Sequence, residues 1–138
     1  MILVVEDAPQ VAGIIVSKLE REGFKLLWKR DGDSAQDSLN TFHPELILLS
    51  TTLEKRDAWE VLEKFCHQHP PIPVVMILEQ EEASEQNRAK AMGCHSCIIK
   101  PFKPTSLAKT VKAILENGRG LGLGVGDWPR DEPLTPNP

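Results

Sequence analysis

Short apolar runs alternate with stretches of helical period along most of the chain. The runs Ile2–Val5 and Leu46–Leu49 have strand length and contain no polar residue. Such uninterrupted runs are typical of parallel strands that are buried on both faces. Between the runs, apolar residues recur at helical spacing, which indicates amphipathic helices. The alternation predicts an α/β fold built on a doubly wound parallel sheet.

The pattern predicts five strands, each followed by a helix. The predicted strands are Ile2–Val5, Phe24–Trp28, Leu46–Leu49, Val74–Leu78 and Cys97–Lys100. Polar capping residues predict where helices begin, with Asp7 at the first, Asp33 or Ser34 at the second and Asp57 at the third. The residues expected to face the core from the first two helices are Val11, Ile14, Ile15, Leu19, Ala35, Leu39 and Phe42.

The character of the sequence changes at Gly118, where glycine begins to alternate with other residues and prolines follow. Such a composition lacks the apolar residues needed for a core, so residues 118–138 are predicted to form a flexible Gly/Pro-rich tail. Residues 1–117 are predicted to form one domain, which is an ordinary length for a single core.

Composition and charge narrow the class of protein. The chain of 138 residues is 41% hydrophobic and 26% charged, and 16 basic against 20 acidic residues give a net charge of −4. This balance argues against a general binder of nucleic acid or of anionic membranes. The apolar runs are too short to span a bilayer, and three cysteines do not form a disulfide framework. We therefore expect a cytoplasmic protein.

The candidate chemistry lies where the strands end. Glu6 and Asp7 follow the first strand, Ser50 the third, and Lys100 the fifth. The carboxyl ends of parallel strands meet at one edge of a sheet, where ligands bind. An acidic pair opposite a lysine can hold a divalent cation and a phosphoryl group. A self-neutralising salt bridge explains the same residues equally well.

Several segments resemble the receiver domain of two-component response regulators, and the likeness runs from Met1 to about Asn117. These segments are Ile2–Asp7, Asp31-Gly32, His43–Leu49, Pro73–Ile77 and Ile99–Pro104. The resemblance implies a flavodoxin-like sheet of strand order 2-1-3-4-5 with five helices. It also implies Mg²⁺ held by the acidic pair and by an aspartate that accepts a phosphoryl group from a histidine kinase. The face formed by the fourth helix, fifth strand and fifth helix would mediate homodimers and partner contacts.

Three positions depart from the family pattern. Ser50 stands at the position of the phosphoacceptor aspartate, Leu78 at that of the hydroxyl residue that contacts the phosphoryl group, and Cys97 at that of the aromatic switch residue. A serine hydroxyl is protonated at neutral pH and needs a base to become a nucleophile. Losing one carboxylate also weakens Mg²⁺ binding, which leaves Glu6 and Asp7 as weak metal candidates. We therefore expect little or no Mg²⁺ and no other cofactor.

These departures predict an atypical, pseudo-receiver type of domain that is not an enzyme. It would act in phosphorelay or two-component-type signalling through protein–protein contact, with a histidine kinase, another regulator or an output protein as partner. One alternative is a phosphoacceptor that uses Ser50, Thr51 or Thr52. Another is a metal or redox sensor, because the segments Cys66–His69 and Cys94–Cys97 carry possible zinc ligands.

Overall fold

The computed structural model describes residues 1–53, 57–68, 70–80 and 82–117. Its strands are β1 (Ile2–Val5), β2 (Leu26–Lys29), β3 (Leu46–Ser50), β4 (Val74–Leu78) and β5 (Ser96–Ile99). Its helices are α1 (Pro9–Arg21), α2 (Gly32–Ser38), α3 (Ala58–Phe65), α4 (Ala83–Ala91) and α5 (Pro104–Asn117). All strand pairs are parallel, in the order β2-β1-β3-β4-β5. The predicted fold class is therefore confirmed, while the predicted tail lies outside the described residues.

The sheet separates two apolar layers. Alternate strand residues such as Leu3 and Ile47 pack with α2, α3 and α4, whereas Ile2 and Leu46 pack with α1 and α5. Residues of β1, β3 and β4 are buried on both faces, which explains their uninterrupted apolar runs. Each fully buried leucine or isoleucine contributes roughly 1.5–3 kcal/mol relative to an exposed one. This core fixes the strand ends that carry the polar residues.

The start of α1 differs from the prediction. Ala8, and not Asp7, is the N-cap residue, and the preceding Glu6 accepts the Ala8 N–H through Oε2 at 3.0 Å. The buried face of the helix is formed by Ala12, Ile15 and Leu19. The predicted core residue Ile14 is instead 50% exposed, because successive helical residues point about 100° apart and Ile15 takes the inward position.

The start of α2 also lies earlier than predicted. Asp31 is the N-cap, and its side chain accepts the Ser34 N–H at 2.8 Å. Gly32 follows because a Cβ at this position would clash with the Val61 side chain of α3. The helix ends at Ser38, so Phe42 lies beyond it and is 47% exposed rather than buried. By contrast, the Asp57 cap of α3 is confirmed, with its side chain accepting the Trp59 N–H.

Several strand boundaries, in β2, β3 and β5, also differ from the prediction by one or two residues. β2 begins at Leu26 and β5 ends at Ile99, so Lys100 follows β5 instead of ending it. No helix in the described ranges is long and apolar enough to cross a membrane.

Candidate functional site

The carboxyl ends of β1, β3, β4 and β5 bring a set of polar side chains together at one edge of the sheet. The register aligns Val5 with Leu49 and Ser50 with Ile77, so the residues that follow these strands are neighbours. The side chains linked there by hydrogen bonds and ion pairs are Glu6, Ser50, Thr52, Glu79 and Lys100. We call this set the pocket network.

Glu6 is the buried anion of the pocket network, with only 1% of the residue exposed. Its Oε1 lies 3.6 Å from Lys100 Nζ and has no hydrogen-bond partner among the described residues. Its backbone carbonyl accepts the Trp28 Nε1–H at 2.8 Å. A buried charge is costly unless it is paired, so Lys100 compensates a group that water does not reach. The salt bridge that the sequence left open as an alternative thus forms at Glu6.

Asp7 does not face this lysine. Its Oδ1 lies 3.7 Å from Arg30 Nη2, and the same guanidinium donates to the Asp7 backbone carbonyl at 3.1 Å. Arg30 was not identified in the sequence analysis. The parallel pairing of Val5 with Lys29 brings Arg30 beside Glu6, and so within reach of Asp7, the next residue along the chain. The two carboxylates of the acidic pair therefore face different cations, Glu6 facing Lys100 and Asp7 facing Arg30.

Ser50 is fully buried and is engaged by Thr52. Its Oγ lies 3.1 Å from Thr52 Oγ1 and accepts the Thr52 N–H at 3.3 Å. Thr52 Oγ1 in turn donates to Glu79 Oε2 at 3.1 Å, and Lys100 Nζ donates to the same oxygen at 2.7 Å. The hydrogen bond from Lys100 holds the pKa of Glu79 below its usual range, against the opposing effect of burial. Glu79 was also not predicted from the sequence as a site residue.

Leu78 and Cys97, the other two positions at which the resemblance predicts a departure, belong to the apolar layer beneath α3 and α4. Leu78 is fully buried, and its side chain has no hydrogen-bonding atom. Cys97 is 5% exposed, and burial raises the pKa of its thiol to about 12. Both side chains therefore fill core positions.

The cysteine and histidine segments do not form a metal site in the described part of the chain, where no cluster of three or more potential ligands is found. Burial raises the pKa of the Cys94 thiol well above its usual range, and the nearby Cys97 and Cys66 raise it further. His67 Nδ1 lies 2.7 Å from the backbone carbonyl of Glu63. The structure thus gives the zinc alternative no support, although His69 lies outside the described residues.

We expect Cys94 and Cys97 to react with iodoacetamide at least roughly tenfold more slowly in the folded protein than in urea at pH 8, since the thiolate is the nucleophile. The unfolded thiols ionise near pH 9, whereas Cys97 stays protonated to about pH 12. The folded state then binds more protons, so the free energy of unfolding should fall as the pH rises through this window. Equal alkylation rates in the folded protein and in urea, measured by peptide mass mapping, would contradict the burial of these two thiols.

Outside the pocket network, Trp59 packs partly buried against the core beneath α3. The Arg88 guanidinium of α4 lies 4.4 Å from the centre of its ring, a cation–π contact between the two helices. Lys112 of α5 is ion-paired with Glu22 at the end of α1. Two cations of α4 and α5, Arg88 and Lys112, are therefore engaged in contacts within the molecule.

Comparison with known proteins identifies the family. The sequence model of the response regulator receiver domain matches residues 2–112. The chain belongs to this family. It is 32% identical over 114 residues to the alkaline phosphatase synthesis transcriptional regulatory protein PhoP of Bacillus subtilis, covering 83% of this chain and 48% of that protein. It is also 32% identical over 120 residues to the nitrogen assimilation regulatory protein NtrX of Azorhizobium caulinodans, covering 86% and 26%.

Solved structures agree with this assignment. The receiver domain of NtrX from Brucella abortus is 31% identical, with a TM-score of 0.79, and the match covers 85% of this chain and 99% of that one. The chain spans about half the length of PhoP and about a quarter of NtrX. Receiver domains are signalling domains rather than enzymes, and in two-component systems they interact with kinases and output domains.

Proposed function

We propose that this chain is a pseudo-receiver, a receiver domain that signals through protein–protein contact without being phosphorylated. The observation that carries the proposal is Ser50, which ends β3 where the family resemblance places the phosphoacceptor aspartate. Its hydroxyl is fully buried and bonded to Thr52. A neutral, engaged hydroxyl is a poor nucleophile compared with a carboxylate.

Within the described ranges, no base contacts the Ser50 hydroxyl directly. A serine nucleophile needs a proton acceptor within hydrogen-bond reach. In the described part of the chain, Ser50 Oγ is hydrogen-bonded to Thr52 and to no carboxylate. The buried Glu6 carboxylate is directed elsewhere, with Oε2 on the Ala8 N–H and Oε1 facing Lys100. Phosphoryl transfer to Ser50 therefore lacks its first chemical requirement.

The donor set fits Mg²⁺ poorly. Mg²⁺ demands near-octahedral oxygen ligands and is bound chiefly through carboxylates. Here the Glu6 carboxylate faces Lys100 and the Asp7 carboxylate faces Arg30, so each already has an internal cation. A serine hydroxyl adds no charge as a third ligand. We infer that the domain has no resident metal ion.

A second candidate function follows from one contact. Thr52 Oγ1 donates to Glu79 Oε2 at 3.1 Å, so a hydroxyl nucleophile lies beside a carboxylate that can act as its base. Thr52 is also exposed. The alternative is therefore a phosphoacceptor at Thr52. It is the weaker candidate because Lys100 binds the same carboxylate oxygen and lowers the pKa of Glu79, which reduces its strength as a base.

For partners we propose a histidine kinase, another regulator or an output protein, docked on the face formed by α4, β5 and α5. This face also offers a route to homodimers. The net charge of −4 disfavours nucleic acid as a partner. Among its charged residues, Lys109 is exposed on α5 and available for docking.

The test is incubation with acetyl phosphate and Mg²⁺, followed by intact-protein and peptide mass spectrometry. We expect no phosphoryl adduct on this chain, whereas a receiver domain with an aspartate at this position, treated in parallel, should be labelled. An adduct on Ser50 would overturn the proposal. An adduct confined to Thr52 would establish the second candidate instead.

A further inference from the structure

We propose that Glu79 is a built-in anionic ligand of the pocket: its carboxylate takes the place at Lys100 that a phosphate-like anion would otherwise fill, and so closes the pocket to such anions. This inference rests on the proposed function, because it treats residue 50 as uncharged. It goes further by naming the residue that keeps the pocket occupied.

The geometry favours Glu79 as the principal partner of Lys100. Lys100 Nζ lies 2.7 Å from Glu79 Oε2 but 3.6 Å from Glu6 Oε1. The first distance is that of a charge-assisted hydrogen bond, whereas the second is a looser ion pair. The lysine side chain is 16% exposed, so its ammonium is held between the two carboxylates with limited access to water.

The hydroxyl groups orient the same carboxylate. Thr52 has one hydroxyl proton, and it is donated to Glu79 Oε2. The bond between Thr52 Oγ1 and Ser50 Oγ must then use the proton of Ser50. The hydrogen bonds thus run in one direction, from Ser50 to Thr52 to Glu79. Their common end point is an oxygen that also accepts from Lys100.

The network joins three segments of the sheet edge. Ser50 ends β3, Glu79 follows β4 and Lys100 follows β5. A single carboxylate oxygen accepts from the loop after β3 and from the residue after β5. The Glu79 carboxylate therefore acts as an internal anion that holds these segments in one arrangement without a phosphoryl group.

The experiment removes the charge of Glu79 and supplies an anion. Inorganic phosphate is titrated into the wild type, into Glu79→Gln and into the matched control Glu116→Gln, which makes the same change on the exposed surface of α5. Binding is followed by amide chemical shifts of residues 50–52 and 100. We expect Glu79→Gln to bind phosphate at least about tenfold more tightly than the other two proteins, equivalent to about 1.4 kcal/mol. Equal affinities in all three would overturn the role of Glu79.

A second measurement needs no variant. The Glu79 side-chain carboxyl is titrated by carbon NMR in the wild-type protein. We expect its pKa to lie below that of glutamate in the unfolded chain, and an equal or higher value would also contradict the inference. If the pKa of Glu79 is not lowered but acetyl phosphate gives no adduct, the inference about Glu79 fails and the proposed function stands. An adduct on Ser50 would instead overturn the proposed function itself.

Discussion

Replacing Lys100 by methionine is expected to lower the free energy of unfolding by roughly 3–5 kcal/mol, the usual range when one partner of a buried ion pair is removed. Glu6 is 1% exposed, and its Oε1 faces this ammonium at 3.6 Å. Methionine preserves most of the apolar stem of lysine, so the loss reports on charge rather than on packing. Urea unfolding followed by circular dichroism measures the effect.

Two further variants isolate the cause of that loss. Adding Glu6→Gln to Lys100→Met removes the buried charge and should recover much of the lost stability. Lys109→Met makes the same substitution at an exposed position of α5 and should change the free energy of unfolding by less than about 0.5 kcal/mol. If Lys100→Met is as mild as Lys109→Met, Glu6 does not depend on the lysine.

The fold could be predicted because the central strands carry an unambiguous pattern. β1, β3 and β4 are buried on both faces, so their positions follow from apolar runs alone. β2 lies at the sheet edge, where partly buried residues mix with exposed ones such as Trp28. Because its apolar pattern is weaker, the predicted start of the strand was two residues too early. Ile14 was misplaced because hydrophobicity alone does not specify which of two adjacent apolar residues turns inward, and Phe42 because α2 ends at Ser38.

The candidate site was predictable only as far as the strand ends specify it. Glu6 and Lys100 follow strands directly and Ser50 ends one, and the parallel sheet brings them to one edge. Arg30 and Glu79 also follow strands directly, after β2 and β4, but the direction of each side chain depends on the turn that follows, which the apolar pattern does not specify. A charged residue directly after a strand was the available signal, and the strand order indicates which other charged residues lie beside it.

Ser50→Asp is expected to raise the affinity for Mg²⁺ by more than roughly tenfold. The substitution puts a carboxylate at the end of β3, beside the end of β1 that carries Glu6. Unit charges about 4 Å apart interact by about 4 kcal/mol at an effective dielectric of 20, and a divalent ion doubles the attraction. Dehydration of the ion and competition from Lys100 and Arg30 offset part of this gain. Isothermal calorimetry with MgCl₂ measures the affinity.

The same variant should make stability depend on metal. Residue 50 is fully buried, so an added carboxylate near Glu6 and Glu79 has little water to offset its repulsion, and the metal-free variant should unfold at a lower temperature than wild type. Adding Mg²⁺ should raise its Tm, because a ligand that binds only the folded state stabilises it. Ser50→Asn is the matched neutral control and should show no such rise. Leu78 has no hydrogen-bond donor for a phosphoryl oxygen. The Ser50→Asp variant should therefore also need Leu78→Thr before phosphorylation switches its conformation. Mg²⁺ binding by wild type as tight as by Ser50→Asp would contradict the electrostatic account of the pocket.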